Sequence, residues 1–369
     1  MTDPISPTII RHPRGLARLI PEWRHLLEQA PNRAASLTPE WCLSWLETFR
    51  DRRGPLAVIT LHARGRLVGI LPLCWAPPSL LAPRTLRFIS ADNTIGCSPF
   101  PEYSDLLHLP EWRSPCIDAL SALLADDVLL PWEVLEGGLG APDSALAAVR
   151  RSIPEGRVVE EEQVAPAADL SGGFESYLTR LSANSRQQCR RLLRQSERTG
   201  VRLRFARTTE ERSSLLERLI ELHQTRWHAR GEPGAFTGRL NAYHHRLVEQ
   251  LPGEECLLAG VGIDESEYAV LYGFSSGARF EFYQSGMDPT APLPRPGVLA
   301  HLLLMRELAR RGFTEYDFMA GEAPYKLHLA THQRRLTRWQ LIRPGMGAFL
   351  HASARALQRL SDRMPSWSS

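Results

Sequence analysis

Lys326 is the only lysine in the chain, since lysine and arginine together number 44 and the other 43 are arginine. An ammonium offers rotatable donors at a point, whereas a guanidinium offers a rigid fork, and the two do not replace each other at a specific site. Asp317, Glu322 and Tyr325 lie close before this lysine, with Gly321 between the carboxylates. Alternation along Glu315–Met319 places Glu315, Asp317 and Met319 on one face of a strand and Tyr316 and Phe318 on the other. A strand running into a glycine turn crowded with ionisable groups suits proton transfer. Asp317 is the first candidate base and Glu322 the second. Tyr325 can protonate a leaving group or orient substrate, and Lys326 can hold a carboxylate, a phosphate or a developing oxyanion. A carboxylate that only bonds turn amides would give Asp317 the same pattern.

Arg295-Pro296-Gly297 stands at the mouth of a long helical pattern. Unpaired N–H groups, the positive end of the helix dipole and a glycine beside an arginine make a seat for a phosphate or pyrophosphate. Between Arg180 and Arg207 there are nine arginines and one acid, Glu197. Arg186, Arg190 and Arg194 recur at one-turn spacing and form a basic stripe. That stripe suits an anionic acceptor, a nucleotide-linked sugar or tRNA; a solvated face is the other reading. Arg226-Trp227 follows a helical run, where Trp227 either stacks on a sugar or base or packs in the core. His328 and His332 have no evident third ligand, so no metal is expected. The absence of Gly-x-Ser-x-Gly and of a Ser/His/Asp or Cys/His set points to direct transfer rather than a covalent acyl-enzyme.

These residues need a scaffold, and 369 residues suggest two domains. Hydrophobic content of 43%, charged content of 23% and a net charge of +3 are those of a globular protein with no general demand for a polyanion. Six scattered cysteines without a Cys-x-x-Cys pair favour reduced thiols. The N-terminal residues lack the apolar core of a signal peptide and no run is long enough to span a bilayer, so a cytoplasmic protein without a transmembrane segment is expected. In the first half, spacing predicts a helix over 38–50, a hairpin of 56–62 with 66–75, strands at 86–90 and 105–109, a helix over 115–125 and a strand at 132–136. The charged stretch 155–163 and the Ala/Pro/Gly-rich stretch 165–173 mark a domain junction near residue 170. The second half reads as a helix over 174–199, a strand at 201–206, helices over 210–227 and 240–251, strands at 256–263, 268–275 and 279–286, and a helix over 297–311. Residues 346–363 suggest an amphipathic tail helix. Helix, hairpin and strand recur at 39–90 and 240–286, as expected from duplication of one α/β unit.

Tyr272-Gly273-Phe274, Phe282-Tyr283-Gln284-Ser285-Gly286, Pro296-Gly297, Tyr316-Asp317-Phe318, Gly321-Glu322 and Tyr325-Lys326 together resemble the GNAT-like acetyltransferase domain of CelD-type cellulose-biosynthesis proteins. That group is similar to the Fem-type peptidyltransferases of cell-wall assembly. Arg186, Arg190, Arg191, His223 and Arg226-Trp227 fit the same likeness, as do Trp41, Leu71-Pro72-Leu73, Tyr103 and Asp105-Leu106 upstream. The resemblance implies an α/β fold of two tandem GNAT-like units (1–169 and 170–345), each a mixed, mostly antiparallel sheet flanked by helices, with 346–369 as a tail. It implies transfer of an acyl group to an amine or hydroxyl of a saccharide or cell-envelope precursor. The donor would be acetyl-CoA or another acyl-CoA, held by Tyr283, Gln284, Ser285, Arg295 and Gly297; packing within the strand is the other reading of Tyr283 and Gln284. Arg186, Arg190, Arg226 and Trp227 would face the acceptor. Fem-type relatives take aminoacyl-tRNA instead, so tRNA is the alternative donor. A non-catalytic binding module within the polysaccharide-synthesis machinery is the reading from another class.

Overall fold

Two passes through one element order build the molecule, seen in a computed structural model that describes residues 4–79, 82–91, 99–126, 128–153, 156–232, 234–264 and 266–344. The first pass is β1 (Ser6–Ile10), α1 (Pro13–Gln29), α2 (Pro39–Thr48), β2 (Leu56–Ala63), β3 (Arg66–Trp75), β4 (Thr85–Phe88), β5 (Leu107–His108), α3 (Arg113–Ala125), β6 (Val134–Gly140), α4 (Ala145–Ser152) and β7 (Arg157–Asp169). Helices α5 (Gly173–Arg180) and α6 (Ala183–Arg198) lead into the second pass. That pass is β8 (Arg202–Phe205), α7 (Thr209–His228), α8 (Arg239–Gln250), β9 (Cys256–Ile263), β10 (Ser266–Ser276), β11 (Arg279–Met287), α9 (Pro296–Arg310), β12 (Glu315–Asp317), α10 (Pro324–Leu329) and β13 (His332–Ile342).

Local sequence sets many of these boundaries. Thr38 caps α2 by accepting from the Trp41 amide, with Pro39 at the first helical position. The β2–β3 turn carries Arg64 and Gly65 at φ of 51° and 75°, the left-handed pair that matches the twist of a hairpin. The expected helix over 174–199 is two helices, because Ser182 turns extended and caps α6 through the Ser185 amide.

All the described strands join one sheet, in the order β1-β2-β3-β4-β6-β13-β7-β12-β11-β10-β9-β8, with β5 added beside β3. The order is the same from either end once β1 is matched with β8, β2 with β9, β3 with β10, β4 with β11, β6 with β12 and β7 with β13. The parallel pairings match as well: β4 meets β6 from Thr85↔Val134 to Arg87↔Glu136, and β11 meets β12 from Arg279↔Glu315 to Glu281↔Asp317. The last strand of each pass crosses over, β7 pairing with β12 and β13 with β6, while β7 and β13 pair with each other from His332↔Ala167 to Ile342↔Arg157. The fold is thus a mixed α/β sheet flanked by helices, with the final strands of the two halves paired side by side at its centre.

The charged stretch read as a junction is the start of β7, in the middle of the sheet. Its residues 157–162 are largely exposed, so the strand has no apolar alternation there. Glu160, Glu161 and Glu162 lie opposite Trp339, Arg338 and Thr337 of β13, and Glu160 pairs with Arg150. Opposed charges across neighbouring strands support pairing in place of burial. The tail helix expected at 346–363 lies outside the described residues, as does Cys97; the other five cysteines are buried and free.

The two halves are joined by side chains as well as strands. Trp41 of α2 stands edge-on to Tyr243, Phe274 and Tyr283 with ring centroids 5.7, 5.6 and 6.0 Å away, a favoured aromatic geometry. Arg24 of α1 pairs with Glu40 and, at 2.7 Å, with Glu255 before β9. Among the described residues no helix is long and apolar enough to cross a membrane.

Candidate functional site

The sheet opens where β12 stops. Its pairing with β11 ends at Glu281↔Asp317, while β11 runs on to Met287. A bulge at Tyr283, where Tyr272 faces Gln284 and Gly273 faces Phe282, turns the strand at that point. The resulting wedge holds a cleft of about 660 Å³ lined by Gln284 and Ser285 of β11, Arg226 and Trp227 at the end of α7 with Arg230 just beyond it, Arg295 just before α9, Gly297 and His301 in its first turns, and Tyr325 of α10. Three arginines and no carboxylate line it. Arg295 precedes α9 in the left-handed region (φ 47°) and no side chain caps the helix, so its first N–H groups are left for solvent or a ligand.

Among the described residues the guanidinium groups here have no carboxylate partner, and Arg230 lies 5.8 Å from the Trp227 ring centroid. Arg226 makes no hydrogen bond or ion pair with any described residue, and burial, then Arg230, holds its pKa below the ordinary value. Arg295 donates only to the neutral Gln188 Oε1 of α6, at 3.0 Å. His301 is buried with Nδ1 2.7 Å from the Tyr316 hydroxyl, while its Nε2 is buried without a partner. Burial, helped by nearby Lys326, pushes this imidazole down to about 3, so it is neutral. It stacks on Tyr325 with centroids 5.1 Å apart, and burial pushes the Tyr325 hydroxyl up to about 12. The cleft therefore offers three fixed cations, an orphaned imidazole nitrogen and a protonated phenol. His223 serves as a tie between α7 and β11, for its Nδ1 donates to the Ser285 carbonyl and its Nε2 accepts from the Ala235 amide, both at 3.1 Å.

Behind the wedge lies a buried polar cluster to which both halves contribute. Asp317 is completely buried at the end of β12. Its Oδ1 accepts from the Met319 amide at 2.7 Å, and its Oδ2 from Arg334 Nη1 of β13 at 2.9 Å and from the Tyr103 hydroxyl. Burial raises its pKa, against the pull of Tyr103, Arg279, the Met319 amide and Arg334. Arg279 lies 4.6 Å from the Tyr103 ring centroid and bonds the buried Glu281 at 2.6 Å. Lys326 donates to the carbonyls of Ala320 (2.7 Å) and Met319 (3.3 Å), closing the turn that follows Asp317. Glu102 reaches in from the first half and accepts from the Ala320 amide at 2.7 Å. Burial pushes Glu102 up to about 8 and pushes Lys326 down, each countered by the other.

The residues singled out by sequence therefore fall into three places. Gln284, Ser285, Arg295, Gly297, Arg226, Trp227 and Tyr325 share the cleft. Asp317 and Lys326 belong to the cluster behind it, and Tyr283 packs among the aromatic rings beside Glu102. Glu322 is exposed and lines a surface hollow with Glu162 and Arg335, away from Asp317. On α6, the half-buried Arg186 donates to the Thr179 carbonyl and the exposed Arg190 lies 3.4 Å from Glu175. His328 and His332 go to α10 and β13, the first near Ser185 Oγ and the second near Glu315. Among the described residues no group of three or more candidate ligands is placed to hold a metal. Residue type and spacing do not mark Glu102, Arg279, His301 or Arg334. Glu102 stands in a stretch with the composition of a polar loop, and His301 is hidden within the apolar stripe of α9.

Residues 183–327, which include the whole cleft, match the family model described as an acetyltransferase (GNAT) domain. No curated protein matches the chain. Among solved structures, the chain is similar to FemX (11% identity, 94% of this chain and 99% of that one, TM-score 0.61). It is also similar to a conserved protein of unknown function from Bacteroides thetaiotaomicron VPI-5482 (12%, 91% and 100%, 0.55). A third is L-PGS from Bacillus licheniformis (11%, 96% and 97%, 0.52). At these identities the likeness is one of fold, and it extends over nearly the whole chain.

Proposed function

We propose that the chain moves an acyl group from acetyl-CoA or another acyl-CoA to an amine or hydroxyl of a saccharide or cell-envelope precursor. The observation that carries this reading is the wedge cleft at the head of α9, with three arginines and no carboxylate. A phosphate-bearing donor satisfies those charges and the uncapped N–H groups together. The match of 183–327 to an acetyltransferase domain supports the same donor, and the likeness to CelD-type proteins supports the saccharide acceptor. In this reading 1–169 and 170–345 are two GNAT-like units, of which the second holds the donor and the first lends Glu102 and Tyr103.

The reaction then needs no covalent intermediate. The acceptor nitrogen or oxygen attacks the acyl carbonyl, its bond to that carbon forms and the carbon–sulfur bond breaks. The acceptor's proton passes to the Glu102 carboxylate, whose raised pKa makes it a competent base near neutral pH. Tyr325 protonates the departing thiolate and recovers its proton from solvent, and His301 Nε2 positions the donor. Asp317 holds Tyr103, Arg334 and the turn that carries Lys326, which keeps charge opposite Glu102. Titration of the protein with acetyl-CoA tests the donor: saturable binding, lost in Arg226→Ala with Arg295→Ala, is expected. Absence of binding to acetyl-CoA, or binding indifferent to both changes, refutes it.

One observation favours a second donor, aminoacyl-tRNA. The bond from Arg295 to Gln188 brings α6 beside the cleft mouth, and the opposite flank of that helix, toward α5, carries the stripe of Arg186, Arg190 and Arg194. Phosphates of a nucleic acid would follow such a stripe, with affinity falling steeply as salt rises. Filter binding of tRNA to wild type and to a variant with those arginines changed to alanine separates the two donors.

A further inference from the structure

The first half has its own counterpart of the wedge cleft. Its parallel pair β4–β6 also stops after three residues, at Arg87↔Glu136, while β6 continues to Gly140. Here the chain fills the opening itself: Glu102 bridges to Leu139 and the Ser104 amide donates to the Leu139 carbonyl at 3.0 Å. What is left beside this plug is a separate cleft of about 610 Å³. Its walls are the segments equivalent to those of the wedge cleft: Asn32 and Arg33 after α1, Arg113 at the start of α3 and the loop before α4. To these are added Arg279 of β11 and Arg334 and Arg335 of β13.

We propose that this second cleft binds a small phosphorylated molecule that also carries hydroxyl groups, as a sugar phosphate does. Five arginines line it, against Asp105 and Asp143. Asp105 is turned away into bonds with Asn32 and the Leu106 and Leu146 amides. Arg279 and Arg334 are engaged by Glu281, Glu315 and Asp317 behind the wall, but three others are not. Arg33 is half-buried and makes no side-chain hydrogen bond or ion pair with any described residue. Arg113 bonds only the Asp143 carbonyl, and Arg335 is 76% exposed and 3.7 Å from Glu162. A half-buried guanidinium with unused donors is a costly arrangement unless an anion completes it. Asn32 Oδ1 is buried without a partner and asks for a donor, which a dianionic phosphate ester group lacks and a sugar hydroxyl supplies.

The site does not depend on what the wedge cleft binds, and the test keeps the two apart. Calorimetric titration with glucose 1-phosphate is made on the full chain carrying Arg226→Ala and Arg295→Ala, which disables the wedge cleft. One saturable site should remain, bind glucose 1-phosphate more tightly than inorganic phosphate, and weaken at least tenfold on adding Arg33→Ala or Arg113→Ala. Arg33→Lys, which keeps the charge and loses the fork, should fall between, and Arg335→Glu provides an exposed change that leaves folding untouched. No residual site, or one insensitive to Arg33, Arg113 and Arg335, overturns the proposal.

Discussion

Replacing Asp317 by asparagine separates an anchoring carboxylate from a catalytic one. The wild-type side chain accepts three hydrogen bonds, from the Met319 amide on Oδ1 and from Arg334 and the Tyr103 hydroxyl on Oδ2. An amide of the same shape has one oxygen, so its NH₂ group must face either the Met319 donor or the other two. One or two buried donors are then left unsatisfied, at about 1–3 kcal/mol each, and Arg334 keeps Glu315 as partial compensation. The expected loss is about 2–4 kcal/mol, or roughly 4–8 °C in melting temperature at about 2 °C per kcal/mol for a chain of this size. Thermal melts monitored by circular dichroism, with turnover measured on the same preparation, are the assay. An anchor predicts that stability falls and that the residual folded enzyme keeps a measurable part of its turnover. An unchanged melting temperature with turnover reduced more than about a hundredfold would refute the anchoring role and return Asp317 to the position of general base.

Four further outcomes follow from the geometry. Glu102→Gln should nearly abolish turnover, and wild-type kcat/KM should rise with pH through about 8 as the Glu102 carboxyl loses its proton; a flat wild-type profile contradicts its role. The same raised pKa means that Glu102 contributes its stability fully below its ordinary value of 4.5 and loses it as pH climbs through about 8, a slope that urea unfolding should find weakened in Glu102→Gln. A Cβ on Gly297 would come 2.6 Å from Met287 Cε, so Gly297→Ala should push that flexible side chain toward the cleft and weaken acetyl-CoA binding by about threefold to tenfold with little effect on melting. A Cβ on Gly137 would come 2.1 Å from the rigid Trp339 ring where β6 meets β13, so Gly137→Ala should lower stability by about 1–3 kcal/mol or more, visible as an earlier urea midpoint.

The hairpins and long helices are legible in the sequence, because β2–β3, β9–β10, α7 and α9 carry periodic apolar residues with turn or cap residues at their ends. Strands β7 and β13 are not, since their paired acids and arginines replace the alternation a half-buried strand would show. The crossing of the last strands between halves lies outside what any local pattern reports. The cleft is legible because Arg295, Gly297, Gln284 and Ser285 are close in sequence and arranged around one turn of chain, and Arg226-Trp227 falls in with them. The buried cluster is only half legible. Asp317 and Lys326 are neighbours in sequence, but Glu102 and Arg279 reach them through the junction of the two halves, a contact with no trace in spacing. Glu322 shows the converse: it follows Asp317 closely in sequence, yet Gly321 at φ 110° turns the chain there and Glu322 stands on the surface.

The most direct measurement of the central claim is calorimetric titration of acetyl-CoA into the wild-type chain and into Arg226→Ala/Arg295→Ala. Charge-assisted bonds to phosphate are worth about 1.5–3 kcal/mol each, so one saturable site in the wild type should weaken by about a hundredfold or more in the double variant. No heat of binding with acetyl-CoA, or equal affinity in the two proteins, would contradict the assignment of the wedge cleft as the donor site.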